Sequence, residues 1–235
     1  MGYNTGDTYE EKIFEICTNK GITKPGSSRA GASSSQADIE FLHLGNVYKL
    51  EVKNNQNPDY GQRRIHFDTN TSTWDWAIDD YVTQFYNQLN VRGLINSKFN
   101  PIWYQKMVPN IKRTRWRRDL QKKPYDLSDL RYDQTNFENP GNPIPTKALF
   151  NYYSKRGTHY IQIEGSGFYH LDQDVANLGT TQYDGVLTIR FRLKRHTSNP
   201  VDRCSFFAVL KEHKKPTFSP FNIENNGLQA FPNIK

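Results

Sequence analysis

Residues 37–53 read ADIEFLHLGNVYKLEVK, and in this stretch two short apolar runs flank the dipeptide Gly45-Asn46. Apolar runs of this length that are joined by two turn-forming residues are typical of a β-hairpin. We therefore expect one strand at Ile39–Leu44 and a second strand, antiparallel to the first, at Val47–Val52. In this arrangement the beginning of the first strand lies beside the end of the second.

Three charged residues stand at that open end of the hairpin. Side chains alternate along a strand, so Glu51 and Lys53 point to the same face. Antiparallel pairing brings Asp38 close to Glu51. Two converging carboxylates suit a hard divalent cation such as Mg²⁺, and a neighbouring lysine can orient or activate a water or neutralise charge on a phosphate.

A third carboxylate is offered by the predicted first helix, Thr8–Lys20, which carries both Glu10 and Glu11. At about 100° per residue, Glu10 borders the apolar stripe of this helix, whereas Glu11 falls nearly opposite the stripe. Glu10 is therefore better placed to face the sheet, and Glu11 remains the alternative. The Ser- and Gly-rich segment that follows, Lys24–Ala37, is predicted as a flexible loop.

Together these residues resemble the active-site pattern of the PD-(D/E)xK nucleases, and the N-terminal part is most similar to archaeal-type Holliday-junction resolvases. The resemblance is carried by Gly6, Glu10, Ile13, Gly21, Pro25-Gly26-Ser27-Ser28, Ala37-Asp38-Ile39 and Leu50-Glu51-Val52-Lys53. One departure is that Gln36-Ala37 stands where the name of the motif places a proline.

The resemblance implies a restriction-endonuclease-like fold of the α/β (α+β) class, with a central mixed sheet flanked by helices and with additional C-terminal strands. It implies Asp38 and Glu51 as ligands of Mg²⁺ or Mn²⁺. It also implies Lys53 as the catalytic lysine and Glu10 as a carboxylate beyond the direct ligands. No nucleotide cofactor is expected, because the chain lacks a phosphate-binding loop that ends in Gly-Lys-Ser/Thr.

A second helix is predicted at Trp74–Leu89, where apolar residues recur at helical spacing. Several nucleases of this type use a glutamine of the helix that follows the active-site strands, so Gln84 is added to the predicted site. The polar stretch Asn54–Thr73 is predicted as a loop, and Ile102–Val108 is predicted as a strand.

The breaker-rich sequence Asn139–Pro145 is the best candidate for a domain boundary. After it, strands are predicted at Thr158–Glu164, Gly185–Lys194 and Cys204–Leu210. The tail from Lys214 is expected to be irregular, on the surface or against a partner subunit. We therefore expect a nuclease core over residues 1–138 and a β-rich extension over residues 139–235, packed on the core or used for DNA recognition.

The positive charge of the chain is concentrated in one segment. The chain has 31 Lys and Arg residues against 24 Asp and Glu residues, a formal net charge of +7, and residues 104–123 hold eight basic residues and one acidic residue. We expect this segment to contact DNA phosphates. The expected contacts come from Lys112, Arg113, Arg115, Trp116, Arg117 and Arg118. The alternative is a solvated segment that binds nothing.

Composition narrows the remaining possibilities. The chain has two cysteines and no Cys/His cluster, so a zinc site or a disulfide framework is not expected. No apolar stretch is long enough to span a bilayer and no signal peptide is evident, so a cytoplasmic protein of a microbe or phage is expected.

The sequence thus predicts a metal-dependent DNA endonuclease, most simply a type II restriction-type enzyme that acts on double-stranded DNA. A homodimer is expected by analogy, since two symmetric sites cut both strands. Two alternatives stay open: a structure-specific resolvase-like or repair nuclease, and a non-catalytic DNA-binding protein. Some relatives of these nucleases cut RNA with a similar set of carboxylates, so an RNA substrate also stays open.

Overall fold

The computed structural model describes residues 5–28, 37–54, 58–68, 71–96, 102–106, 125–137, 140–195 and 204–225. It contains helices and two five-stranded sheets, which confirms the expected α+β class. None of the described helices is long and apolar enough to cross a membrane.

The helices are α1 (Thr5–Asn19), α2 (Tyr81–Gln88), α3 (Val91–Asn96), α4 (Ile102–Gln105), α5 (Leu127–Phe137) and α6 (Thr146–Ser154). The strands are β1 (Ile39–His43), β2 (Asn46–Lys53), β3 (Asp59–Asp68), β4 (Thr73–Trp76), β5 (Pro140–Ile144), β6 (Thr158–Ile163), β7 (Gly167–His170), β8 (Thr181–Gln182), β9 (Val186–Arg195) and β10 (Cys204–Lys214).

The chain forms two compact units, and each is assembled from separated segments. Unit 1 comprises Met1–Pro58, Pro145–Leu187 and Glu212–Lys235, and unit 2 comprises Asp59–Ile144 and Thr188–Lys211. One boundary falls inside the predicted breaker sequence. The predicted division into residues 1–138 and 139–235 differs from this arrangement, because the chain leaves unit 1 and later returns to it.

Unit 1 is built on a mixed sheet with the strand order β1-β2-β6-β7-β8. The second strand, β2, pairs antiparallel with β1 and parallel with β6. Parallel neighbours require a crossover connection, and here the crossover contains the first segment of unit 2 and then α6. The central position of β2 places its carboxyl end between two neighbouring strands.

Helix α1 supplies part of the apolar core of unit 1. Its residues Tyr9, Ile13 and Cys17 are buried together with residues of β1, β2 and β6, which confirms the predicted apolar face. The helix begins three residues before the predicted start. It is followed by Gly21, whose φ of +69° is the left-handed conformation that favours glycine after a helix.

The turn of the β1–β2 hairpin lies one residue earlier than predicted. It is formed by Leu44 and Gly45, with φ of 49° and 78°, as expected of a type I′ turn, and His43 pairs with Asn46. This register continues to the pair Ile39–Leu50. The next position therefore sets residue 38 opposite residue 51 at the open end of the hairpin.

Unit 2 contains the second sheet, with the order β4-β3-β10-β9-β5. The prediction of a loop over residues 54–73 is wrong, because β3 occupies half of it. Tyr60, Ile65 and Phe67 of β3 are buried, and the strand pairs with β10 across more than 130 positions of sequence. The apolar alternation of a strand is incomplete here, because Arg63 and Asp68 occupy buried positions.

Of two other predictions for unit 2, the helix at Trp74–Leu89 is confirmed only over Tyr81–Gln88, and the strand at Ile102–Val108 is wrong where the structure describes it. Trp74 lies in β4 rather than in a helix, and α2 begins only after Asp80, whose carboxylate accepts hydrogen bonds from the backbone at the start of the helix. Residues 102–105 form a helical turn, not a strand. The buried Asp133 caps that turn by accepting from the backbone N–H groups of Ile102 and Trp103, at 2.8 and 2.9 Å.

The C-terminal strands are confirmed as β6, β9 and β10. Residues 215–225 contain neither helix nor strand, as expected, yet they are bound into unit 1 rather than lying loosely on its surface. The backbone N–H of Phe168 donates to the carbonyl of Phe221 at 2.7 Å. Ile223 is fully buried in the core, and its N–H donates to the side chain of Gln162.

Candidate active site

The open end of the β1–β2 hairpin brings Asp38 and Glu51 together. Both residues are buried, with 8% and 5% of their surface exposed. Asp38 precedes β1, and its Oδ2 accepts a hydrogen bond of 2.7 Å from the backbone N–H of Val52 on β2. The hairpin's own backbone therefore fixes this carboxylate.

Lys53 lies on the same face of β2 as Glu51, as the alternation of the strand predicts. Its Nζ is 2.6 Å from Oε1 of Glu51 and 4.0 Å from Oδ2 of Asp38. The lysine side chain is itself only 15% exposed. The ammonium group thus neutralises part of the negative charge that the two buried carboxylates bring into the hairpin end.

Burial strongly affects the protonation of these groups. The pKa of the Asp38 carboxyl is raised to about 8, chiefly by burial and then by the charges of Glu51 and Glu10, against the opposing effects of Lys53 and the Val52 N–H. Burial alone lowers the pKa of Lys53, but the charges of Glu51 and Asp38 outweigh it and raise that pKa above its usual range. Lys53 is therefore a cation at neutral pH.

The structure favours Glu10 over Glu11 as the helix carboxylate. Glu10 is partly buried on α1 and Glu11 is exposed. The charge of Glu10 contributes to the raised pKa of both Asp38 and Lys53. This helix residue therefore acts electrostatically on the site, while the catalytic role given to it by the resemblance stays a prediction.

Tyr153, in the last turn of α6, and Arg156, two residues after the helix, also contact Glu51. The hydroxyl of Tyr153 donates to Oε1 of Glu51 at 3.2 Å, and Nη1 of Arg156 lies 3.5 Å from Oε2. Both partners are more than 100 residues from Glu51 in the sequence. Sequence reasoning missed them, because their proximity depends on the parallel pairing of β2 with β6, which no local pattern reveals.

The chemistry of the donor set fits a divalent cation. Within the described ranges no group of three or more His, Cys, Asp or Glu side chains is arranged to hold a metal. Mg²⁺, however, is commonly held by one or two carboxylates together with waters and substrate phosphates. Asp38 and Glu51 are two adjacent, buried oxygen donors, which is the protein contribution that such a site requires.

The other predicted site residues belong to unit 2 or lie outside the described residues. Gln84 is an exposed residue of α2, in unit 2, whereas Asp38, Glu51 and Lys53 belong to unit 1. The helix that leads into the strand beside β2 is α6. The predicted DNA-contacting residues all lie outside the described residues: Lys112, Arg113, Arg115, Trp116, Arg117 and Arg118. Their role, like that of Gln84, stays a prediction.

Comparison with protein-family models, curated proteins and solved structures gives no match to this chain.

Proposed function

We propose that the protein is a metal-dependent endodeoxyribonuclease of the PD-(D/E)xK type that hydrolyses phosphodiester bonds in double-stranded DNA. The observation that carries the proposal is the buried group at the open end of the hairpin. There Lys53 Nζ lies within 4.0 Å of both Asp38 and Glu51. A lysine and two carboxylates buried together are costly to desolvate, and such a cluster of perturbed groups marks a candidate for a chemical role.

In this proposal Asp38 and Glu51 hold Mg²⁺ or Mn²⁺. The cation, when bound, polarises a phosphoryl oxygen and helps to generate the nucleophile. Lys53 is cationic at neutral pH, so its contribution is to stabilise negative charge that develops on the phosphate rather than to accept a proton. Glu10 adds negative charge near the cation site and supports the binding of a cation there.

The charge of the chain supports a polyanionic substrate. The formal net charge of the chain is +7, and this equals the excess of basic over acidic residues within the segment 104–123. Cationic side chains of this kind contact phosphates without reading the base sequence. DNA is favoured over RNA because the hairpin pattern resembles DNA-cutting families, and an RNA substrate is the control.

A second candidate is a structure-specific nuclease. It is favoured by the similarity of residues 6–53 to archaeal-type Holliday-junction resolvases, including the Gly- and Ser-containing run Pro25-Gly26-Ser27-Ser28. A four-way junction that is cut in preference to linear DNA, whatever its sequence, would assign the protein to this class rather than to the restriction type.

The test is cleavage of supercoiled plasmid in Mg²⁺ by the wild type, by Asp38→Ala and by Lys53→Ala. Glu11→Ala is the matched control, since it removes an exposed carboxylate from the helix that carries Glu10. We expect discrete fragments from the wild type and the control only. Nicking or smearing, with preference for junctions, would select the second candidate.

Wild-type protein that binds DNA but cleaves no plasmid, junction or RNA would refute the catalytic proposal and leave a DNA-binding protein. The homodimer is tested separately by light scattering. A monomer both free and on DNA would refute it.

A further inference from the structure

We propose that Tyr153 and Arg156 are positioning residues, which hold the Glu51 carboxylate in the orientation in which it receives a divalent cation. The inference rests on the proposed function, because it concerns the same site. It assigns a task to two residues that neither the hairpin pattern nor the resemblance includes.

Each oxygen of the Glu51 carboxylate contacts a residue at the end of α6 or just after it. Oε1 accepts from the Tyr153 hydroxyl at 3.2 Å, and Oε2 lies 3.5 Å from Nη1 of Arg156. The Glu51 and Arg156 side chains are each 6% exposed, so water competes little for these contacts. A carboxylate that is held at both oxygens has little freedom to rotate.

The turn that follows α6 is itself held against β2. The carbonyl of Arg156 accepts from Nζ of Lys49 on β2 at 3.3 Å. Gly157 turns the chain with a φ of +68° into β6, which pairs with β2 so that Glu51 is opposite Ile161. The helix end and the strand that bears Glu51 are thus held in one register.

Arg156 is held in place by two aromatic rings. Its guanidinium carbon lies 5.8 Å and 5.6 Å from the ring centroids of Tyr152 and Tyr153, within the range of cation–π attraction. Both rings are buried. The two buried rings therefore restrict the position of the Arg156 guanidinium group that faces Glu51.

Asp38 and Glu51 are thereby oriented by different means. Asp38 is fixed within the hairpin by the N–H of Val52, whereas Glu51 contacts Lys53 of its own strand and is held in addition by Tyr153 and Arg156, more than 100 residues further along the chain. Partners that orient a metal-binding side chain change metal affinity or activity by about 10- to 100-fold when they are replaced. Tyr153 and Arg156 stand in this relation to Glu51.

The test is isothermal titration of the metal-free full chain with Mn²⁺, for the wild type, Tyr153→Phe and Arg156→Lys. Tyr153→Phe removes only the hydroxyl, and Arg156→Lys keeps the charge but not the planar fork. We expect the Kd for Mn²⁺ to rise about tenfold in each variant. The control is Tyr132→Phe, which removes the hydroxyl of a half-exposed tyrosine on α5, and its Kd should equal that of the wild type.

A second measurement does not involve the metal. The thermal midpoint is recorded in EDTA for Tyr153→Phe, Glu51→Gln and the double variant. Residues in contact give non-additive shifts, so we expect the double variant to differ from the combined single shifts. Additive shifts would overturn the inference.

The two proposals fail in different ways. Wild-type protein that does not bind Mn²⁺ would overturn the proposed function together with the inference. Wild-type protein that binds Mn²⁺, with Tyr153→Phe and Arg156→Lys binding equally tightly, would overturn the positioning role alone.

Discussion

Replacing Asp38 with Asn is expected to flatten the pH dependence of the protein's stability between pH 5 and pH 9. Burial raises the pKa of this carboxyl in the folded protein from an ordinary value of 3.8 to about 8. Between those two values the folded protein binds a proton that the unfolded chain has lost. The free energy of unfolding therefore falls as the pH rises through this interval, and it stops falling above the folded pKa.

The size of the effect follows from the width of the interval. One pH unit of differential protonation corresponds to about 1.4 kcal/mol. The part of the interval between pH 5 and a folded pKa of about 8 therefore gives a ceiling of about 4 kcal/mol on the change in stability. Asn has nearly the shape of a protonated Asp, and its side-chain oxygen can accept the N–H of Val52. The variant should fold with the same hairpin and lack the titration.

The assay is urea denaturation of both proteins in EDTA at pH 5, 7 and 9. The quantity of interest is the difference between their free energies of unfolding, because the contributions of titrating groups that do not interact with Asp38 cancel. We expect this difference to shift in favour of Asp38→Asn as the pH rises. Parallel profiles of the two proteins would refute the assignment of a raised pKa to Asp38.

The wild type and Asp38→Asn also test whether a bound cation offsets the loss of stability that accompanies ionisation of Asp38. A ligand at 100 times its Kd stabilises the folded state by about 2.7 kcal/mol. At pH 9, Mn²⁺ in such excess should stabilise the wild type and leave Asp38→Asn nearly unchanged. Equal stabilisation of both proteins would place the cation elsewhere.

Two further predictions concern stability away from the site. Asp133→Ala leaves three donors, the N–H groups of Ile102 and Trp103 and the Tyr125 hydroxyl, without their acceptor; we expect a loss of about 3 kcal/mol or more in urea denaturation, and a loss below 1 kcal/mol would contradict it. Gly167→Ala places a Cβ 2.7 Å from the carbonyl oxygen of Phe221 and requires a φ of +124°. We expect faster proteolysis within residues 217–225, and an unchanged cleavage rate would show that the tail accommodates the methyl group.

The parts of the fold that the sequence predicts are those fixed by neighbouring residues. The α1 face, the β1–β2 hairpin and strands β6, β9 and β10 are all visible as apolar periodicity within short windows. Even there, the predicted turn at Gly45-Asn46 is one residue later than the observed turn at Leu44-Gly45. The pair that adopts positive φ includes Leu44, an unfavourable residue for that conformation, so composition pointed to the following Asn instead.

The parts that the sequence does not predict depend on distant partners. Strand β3 carries mostly polar residues between its buried ones and is held by pairing with β10. The helical turn at residues 102–105 depends on Asp133 as its cap. A cap contributed from another element cannot be found by looking for Ser, Thr, Asp or Asn immediately before a helix.

The candidate site divides in the same way. Asp38, Glu51 and Lys53 lie within 16 positions on one hairpin, so alternation and antiparallel pairing suffice to bring them together. Tyr153 and Arg156 reach Glu51 only through the β2–β6 pairing. The prediction names Gln84, on the helix nearest in sequence, whereas the observed contacts with Glu51 come from Tyr153 and Arg156.

The reason lies in the connection between Lys53 and Thr158, which contains most of unit 2. A parallel pair fixes where the two strands lie but not how many residues join them, and the entropic cost of a longer connection grows only slowly with its length. Most of a second unit can therefore occupy the crossover while β2 and β6 keep their register. Distance along the chain is consequently a poor guide to which helix serves this site. The end of the crossover, immediately before the strand that pairs with β2, is the better place to search.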